Sequence, residues 1–209
     1  MRYGNILIGI LMLLPQFSIA APSDILIPSV IPKKQDLSAV EYFNSGRQSG
    51  CGLRVTGETQ DDIWLNILIT VFLKESDVTF GAVKIVARKI VMENGKPLLR
   101  NGRVTYLDVS KIKRAWIKPD SREWPIVYEN GGSSHGDSYM ATVGFSSTMD
   151  LLVSISQEGF KVGVNRGGDK LEEIYQFNQR ISQEEAGKLS LCMNNLRDEI
   201  EESRSRKIF

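Results

Sequence analysis

The sequence predicts an α+β fold, in which a mainly antiparallel sheet of about six to eight strands carries a C-terminal amphipathic helix on one face. Three observations lead to this prediction. An apolar segment in the first half alternates as a strand does, two Asn-Gly pairs follow it, and the chain ends in a capped segment with helical periodicity. No helix-like segments separate successive strands as a parallel sheet requires, so we expect antiparallel pairing.

Residues 63–73 (IWLNILITVFL) are predicted to form the central strand. Every odd-numbered position in this segment is aliphatic, whereas the even-numbered positions are mixed. Because successive side chains of a strand point to opposite faces, one wholly aliphatic face would be buried in the core. Helix is the alternative for an apolar run of this length, but the β-branched and aromatic content favours a strand.

The segments before the central strand are predicted from proline positions and local periodicity. Residues 21–35 contain three prolines, which predicts an extended lead-in to a single domain at 36–209. Residues 36–43 predict a short helix with Asp36 as its N-cap. Residues 53–58 predict a strand.

The segments after the central strand are predicted to form a meander. Asn94-Gly95 and Asn101-Gly102 predict tight turns, because type I′ turns need positive φ at both central residues. Pro119 and Pro125 are expected to limit pairing of residues 111–128 to edges or loops. Further strands are predicted at 78–92, 103–109, 139–145, 151–157, 160–164 and 172–178, with turns at 158–159 and 166–169.

The C-terminal helix is predicted from its cap and its apolar stripe. Ser182 and Glu185 have the spacing of a capping box, in which the Ser oxygen and the Glu side chain each bond the other residue's backbone N–H. Residues 201–209 are expected to be a frayed tail. Spacings of three and four residues place one apolar stripe on the helix: Ala186, Leu189, Met193, Leu196 and Ile200.

The first twenty residues resemble a cleavable secretory signal. Arg2 precedes an apolar run at 6–14, and the small residues Ser18 and Ala20 stand just before Ala21. The run is shorter than the about 20 residues that a membrane span needs. We therefore expect cleavage near Ala20 and a periplasmic or secreted protein; an uncleaved N-terminal anchor is the alternative.

Cys51 and Cys192 are the only two cysteines, and both belong to the part expected to be exported. In an oxidising compartment such a pair predicts one disulfide. Two separate buried thiols are the alternative. Neither cysteine has a second Cys or a His at ligand spacing, so no metal site and no cofactor are predicted.

Charge is unevenly distributed along the chain. Residues 84–122 contain eleven basic and three acidic residues, whereas residues 123–209 contain nine basic and fourteen acidic ones. The first interpretation of this basic segment is a solvated edge that balances the acidic C-terminal half. Contact with a protein that has an acidic surface is the main binding alternative, and anionic lipid and nucleic acid are further alternatives. If residues 111–118 form a strand, neither set of alternate residues is wholly apolar, so no face of the strand is clearly suited to the core. The candidate residues are Lys111, Lys113, Arg114, Trp116 and Lys118.

A Gly/Ser-rich loop at 130–138 contains the only histidine, His135, together with Ser134 and Asp137. These are the residue types of a hydrolase triad. A triad is assembled from distant segments, however, because the base must be oriented by a third group, and adjacent loop residues rarely meet that geometry. A solvated loop is the first interpretation, and a contact role is the alternative, so Ser134, His135 and Asp137 are candidate partner-binding residues.

These observations favour an exported, non-enzymatic protein that acts through a protein–protein contact, such as an immunity or inhibitor protein that neutralises an envelope toxin or enzyme. A structural accessory of an envelope secretion or conjugation apparatus is the first alternative. A hydrolase that uses His135 is the second.

Overall fold

The computed structural model describes residues 28–74, 78–107, 110–128, 131–132, 138–167 and 172–206. The predicted signal segment at 1–20 lies outside these residues. In chain order the elements are β1 (Lys34–Asn44), β2 (Arg47–Glu58), β3 (Ile63–Lys74), β4 (Val78–Lys89), β5 (Met92–Glu93), β6 (Lys96–Pro97), β7 (Leu99–Arg100), β8 (Arg103–Val104), β9 (Arg114–Pro119), β10 (Ile126–Tyr128), β11 (Ser138–Val143), α1 (Phe145–Gln157), β12 (Phe160–Asn165), β13 (Glu173–Phe177) and α2 (Gln183–Arg206).

Most strands belong to two antiparallel sheets. The first sheet has five strands in the order β1-β2-β3-β4-β11, and the second has four in the order β10-β9-β12-β13. The short strands β5 to β8 form two small hairpins. With α2 packed against β1 and β2, the predicted α+β class is confirmed. The division of the strands between two sheets was not predicted.

The aliphatic face of β3 is the centre of the core, as its alternation predicts. Leu65, Ile67, Ile69 and Val71 are all fully buried. Antiparallel register aligns Ile67 with inward residues of every other strand of the first sheet, giving one continuous row: Leu37, Val55, Ile67, Ile85 and Tyr139. Each such side chain contributes about 1.5–3 kcal/mol on burial, so the row fixes the register of the sheet.

The second sheet and both helices cover this inner face. A β-carbon at Gly57 of β2 would lie only 3.0 Å from Phe177 of β13, so the two sheets meet there. Helix α1 contacts β3, β4 and β9, with Thr148 directly over Gly81. The Phe160 and Phe177 rings stack at 5.0 Å inside the second sheet's half of the core.

Two predicted elements were wrong. Residues 36–43, predicted as a helix, belong to β1, because an eleven-residue ladder with β2 pairs one side of their backbone and buries Leu37 against Val55. Residues 151–157, predicted as a strand, are the second half of α1. The residues buried there are Leu151, Leu152 and Ile155, a spacing that fits a helix over a sheet.

The Asn-Gly turns are confirmed. Asn94 and Gly95 have φ of 51° and 73° between β5 and β6, and Asn101 and Gly102 have 53° and 72° between β7 and β8. The strand predicted at 103–109 is reduced to β8 and one isolated bridge between Ile90 and Tyr106; residues 108–109 are not among those described.

The expectation that residues 111–128 pair only at edges or in loops is wrong for β9. This strand lies inside the second sheet, between β10 and β12. Pro119 is the last residue of β9, where its missing N–H interrupts no further ladder bond, and Pro125 immediately precedes the edge strand β10.

Helix α2 begins as predicted but ends later. Ser182 Oγ accepts a hydrogen bond from the Glu185 backbone N–H at 3.2 Å, which confirms that half of the capping box. The Glu185 carboxylate, by contrast, accepts one from the Ala39 N–H of β1 at 2.6 Å. The helix continues to Arg206, so the frayed tail predicted from residue 201 is wrong up to that point; residues 207–209 are not described. Among the described helices none is both long and apolar enough to span a bilayer.

Two features tie the sheets together. Backbone hydrogen bonds join Val30 to Ile174 and Gln176 of β13, while Lys33 N–H donates to Glu58 O of β2 at 2.7 Å. The largely buried guanidinium of Arg166 donates to the Glu173 carboxylate, to Ser110 O and to Ala87 O of β4. The described part of the lead-in and the β12–β13 turn therefore both bridge the two layers.

Candidate partner-binding surface

Strand β9 separates the predicted basic segment into two faces. Ala115 and Ile117 are fully buried, whereas Arg114, Trp116 and Lys118 lie on the opposite face and are exposed or partly exposed. The expected lack of a clean inner face is therefore wrong, because small and aliphatic residues at alternate positions suffice to cover the core.

The neighbouring strand β12 adds a second lysine to this outer face. Lys161 is the direct cross-strand partner of Lys118, so the two side chains project side by side. Neither ammonium is paired with a carboxylate in the part of the chain that the structure describes. Like charges placed opposite each other destabilise a sheet, so this pair costs the free protein stability.

Trp116 lies flat on the backbone of Gly163, its partner in β12. A β-carbon at Gly163 would approach Trp116 Cε2 to 2.1 Å and Nε1 to 2.2 Å, distances that no real contact allows. Glycine is therefore required here so that the indole can rest against the strand while part of the ring stays exposed.

The segment before β9 adds two exposed lysines next to this strand. The backbone N–H of Lys113 donates to Asn165 O at 2.8 Å, which holds this lysine beside the end of β12. Lys111 and Lys113 are exposed on either side of Ile112, which is buried and anchors the segment. We define the cationic surface as Lys111, Lys113, Arg114, Trp116, Lys118 and Lys161.

The structure thus places Arg114, Trp116 and Lys118 on one face of β9, adds Lys161 and Gly163 of β12 beside them, and leaves Lys111 and Lys113 exposed in the segment just before β9. The strand at 160–164 was predicted, and Lys161 lies on the face of this strand opposite to its apolar residues. Only the register between β9 and β12, however, shows that it faces Lys118. Ser134, His135 and Asp137 lie outside the described residues, so their predicted role stays a prediction.

The predicted disulfide is present, and the alternative of two separate thiols is wrong. Cys51 of β2 and Cys192 of α2 are joined with a Cα–Cα distance of 5.9 Å, and both are fully buried. Gln48 Nε2 donates to Cys192 Sγ at 2.8 Å. The bridge fixes the middle of α2 to the first sheet and takes no part in the cationic surface.

Comparison of the chain with protein-family models, curated proteins and solved structures gives no match. Within the described ranges no group of three His, Cys, Asp or Glu side chains is arranged to hold a metal ion. The candidate site therefore rests on the geometry and charge of the cationic surface itself.

Proposed function

We propose that the protein is an exported, non-enzymatic binding protein that contacts an acidic partner protein through the cationic surface, as an inhibitor or immunity protein contacts an envelope toxin or enzyme. The observation that carries the proposal is the direct pairing of Lys118 with Lys161 on the outer face of the second sheet.

The energetics of this pair favour a binding role. Two lysines in cross-strand register repel each other in the free protein, and carboxylates of a partner would turn that cost into attraction. Lysine ammonium groups also accelerate encounter with an acidic surface by long-range steering.

Trp116 supplies the apolar part of the contact. A partly exposed indole supported from beneath by the Gly163 backbone is a rigid surface of the kind found at interface hot spots, where Trp and Arg are enriched. Arg114 lies two residues away on the same face of β9. The cationic surface thus combines an aromatic anchor with surrounding charges, as protein interfaces do.

Export is supported by the Cys51–Cys192 disulfide, since such bonds form and persist mainly in oxidising compartments. The mass of the protein purified from its native cell tests this part. Loss of residues 1–20 and an oxidised cysteine pair are expected; an intact leader with two free thiols contradicts export.

The binding role is tested by capture from envelope extract with wild-type protein and with the Lys118→Gln/Lys161→Gln variant. The matched control is Lys84→Gln/Lys89→Gln, which removes the same charge from exposed positions of β4. We expect an acidic protein that wild type and control retain and that the Lys118/Lys161 variant loses. Equal retention by both variants contradicts the proposal, as does salt-sensitive retention of single-stranded DNA or anionic vesicles in place of a protein.

A further inference from the structure

Residues 90–107 form an arm that carries two hairpins outside the two main sheets. Strands β5 and β6 contact chiefly each other, as do β7 and β8, and residues 93–97 and 99–103 are all exposed. The arm contains three basic residues and one acidic residue, and it contributes no residue to the cationic surface.

A cycle of three backbone hydrogen bonds joins the two hairpins. Val91 N–H donates to Thr105 O at 3.0 Å, Thr105 N–H to Leu98 O at 2.8 Å, and Leu98 N–H to Val91 O at 2.8 Å. At the base of the arm, the Tyr106 ring packs against Trp64 of β3, with the ring centroids 6.0 Å apart. Because these contacts fix the base of the arm, little conformational entropy is lost when its tips bind a partner.

The β7–β8 hairpin has an apolar face and a cationic face. Leu99 is the cross-strand partner of Val104, and it is 59% exposed, so most of its surface is left uncovered by the described part of the chain. Arg100 is the partner of Arg103, and adjacent pairs of a hairpin lie on opposite faces. Among the described residues no carboxylate is paired with either guanidinium group. Two like charges in direct register cost the free protein stability, which an anionic partner would offset.

The size and chemistry of this hairpin favour a lipid surface over a protein. One face of a hairpin with two residue pairs is much smaller than the about 800 Å² that each partner buries in a stable protein interface. A membrane interface, by contrast, is bound by a few apolar side chains at the acyl boundary together with cations near the lipid phosphates. Guanidinium groups suit phosphates, because they donate two parallel hydrogen bonds.

We propose that the arm binds the surface of an anionic phospholipid membrane. Leu99 enters the boundary between headgroups and acyl chains, while Arg100 and Arg103, on the other face of the hairpin, remain at the level of the lipid phosphates and donate hydrogen bonds to them. The contact is peripheral and reversible, since one exposed leucine and a few cations bind a membrane only weakly.

The test is co-sedimentation of the mature protein with vesicles that mix phosphatidylglycerol and phosphatidylcholine, and with pure phosphatidylcholine vesicles. We expect binding to the anionic vesicles that weakens with salt, and far weaker binding to the neutral ones. Arg100→Gln/Arg103→Gln should reduce the partition coefficient about thirtyfold, since each cation near an anionic surface contributes about a factor of five. The matched control is Arg54→Gln/Lys84→Gln, which removes the same charge from exposed positions of the first sheet. No binding to anionic vesicles, or an equal loss from both variants, overturns the proposal.

A second pair of variants separates membrane contact from simple binding of anions. Leu99→Ser removes the exposed leucine of the arm, and Leu191→Ser removes a leucine of α2 that is 60% exposed. The first variant should weaken vesicle binding about threefold to tenfold, and the second should leave it unchanged. Binding by Leu99→Ser as tight as that of wild type, or displacement of the protein by inorganic phosphate at constant ionic strength, would mean that the arm binds phosphate groups without a membrane, and would overturn the proposal.

This proposal and the proposed function can fail separately. Arg100→Gln/Arg103→Gln should still capture the acidic protein that the cationic surface contacts, and Lys118→Gln/Lys161→Gln should still bind anionic vesicles. Vesicle binding that is lost in the Lys118/Lys161 variant and kept in the Arg100/Arg103 variant would assign the lipid contact to the cationic surface, and would contradict both.

Discussion

The carboxylate of Glu185 accepts a hydrogen bond from the backbone N–H of Ala39 at 2.6 Å, across 146 residues of sequence. Ala39 belongs to β1, the edge strand of the first sheet, and Glu185 to the first turn of α2. The carboxylate occupies the position that a carbonyl of a further strand would take. The helix start therefore protects this edge from pairing with another chain.

Replacing Glu185 with Gln is expected to lower stability at neutral pH but not in acid. The hydrogen bond from Lys188 and that from the Ala39 N–H hold the pKa of Glu185 below its ordinary value of 4.5. A lowered carboxyl pKa contributes stability above the unfolded-state value, and this is lost as pH falls through the folded-state pKa. Thermal unfolding from pH 7 to pH 3 should show the difference between variant and wild type shrinking below about pH 4.5.

The matched control for this prediction is Glu184→Gln. Glu184 also pairs with Lys188, at 2.7 Å, but its side chain is 78% exposed, and it lacks the bond to β1. We expect a smaller loss from this variant. A loss as large as that of Glu185→Gln would mean that Lys188, and not Ala39, is the partner that matters.

Removing the disulfide with Cys51→Ala/Cys192→Ala should destabilise the protein strongly. The bridge spans 141 residues, and closing a loop of that length lowers the entropy of the unfolded chain by an amount worth about 5 kcal/mol. Urea unfolding of the variant against the oxidised wild type measures this. A loss below about 1 kcal/mol would show that the unfolded chain keeps its two ends together without the bridge.

Gly163→Ala should destabilise the second sheet by about 1–3 kcal/mol, because the new methyl group cannot share space with the Trp116 ring. Gly187→Ala is the opposite case: this glycine lies inside α2 with nothing within 4 Å, so alanine should stabilise by about 1 kcal/mol. Urea unfolding of both variants checks the signs. A neutral Gly163→Ala would contradict the position of the indole on the strand.

Lys161→Gln should stabilise the free protein while it weakens partner binding. Relief of repulsion with Lys118 is worth about 0.2–1 kcal/mol at low salt and should disappear in about 1 M salt, where charges are screened. Lys84→Gln is the control, since its cross-strand partners Leu68 and Met140 are uncharged. A stabilisation that persists at high salt would assign the effect to something other than charge.

The sequence predicted elements whose signals are local. Three such features are present in the structure, and each can be predicted from residues close together in the sequence. They are the strand with alternating aliphatic residues at 63–73, the two Asn-Gly turns and the Ser182 cap. Residues 36–43 were predicted wrongly because the local signal of the Asp36 N-cap is outweighed by ladder bonds to β2, which is a tertiary effect. The candidate surface was predicted in part, since Lys161 joins it only through register with β9.

By itself, the sequence determined which residues are buried in the central strand, where the tight turns lie and which cysteines pair. The alternation of aliphatic residues, the preference of Asn-Gly for positive φ and the presence of only two cysteines can each be read from the chain without knowing the fold. Tertiary structure alone decided that the strands divide into two sheets, that β9 is interior, and that Lys118 faces Lys161. These depend on which strand pairs with which and in what register. That choice is set by the combined burial of a core to which every element contributes.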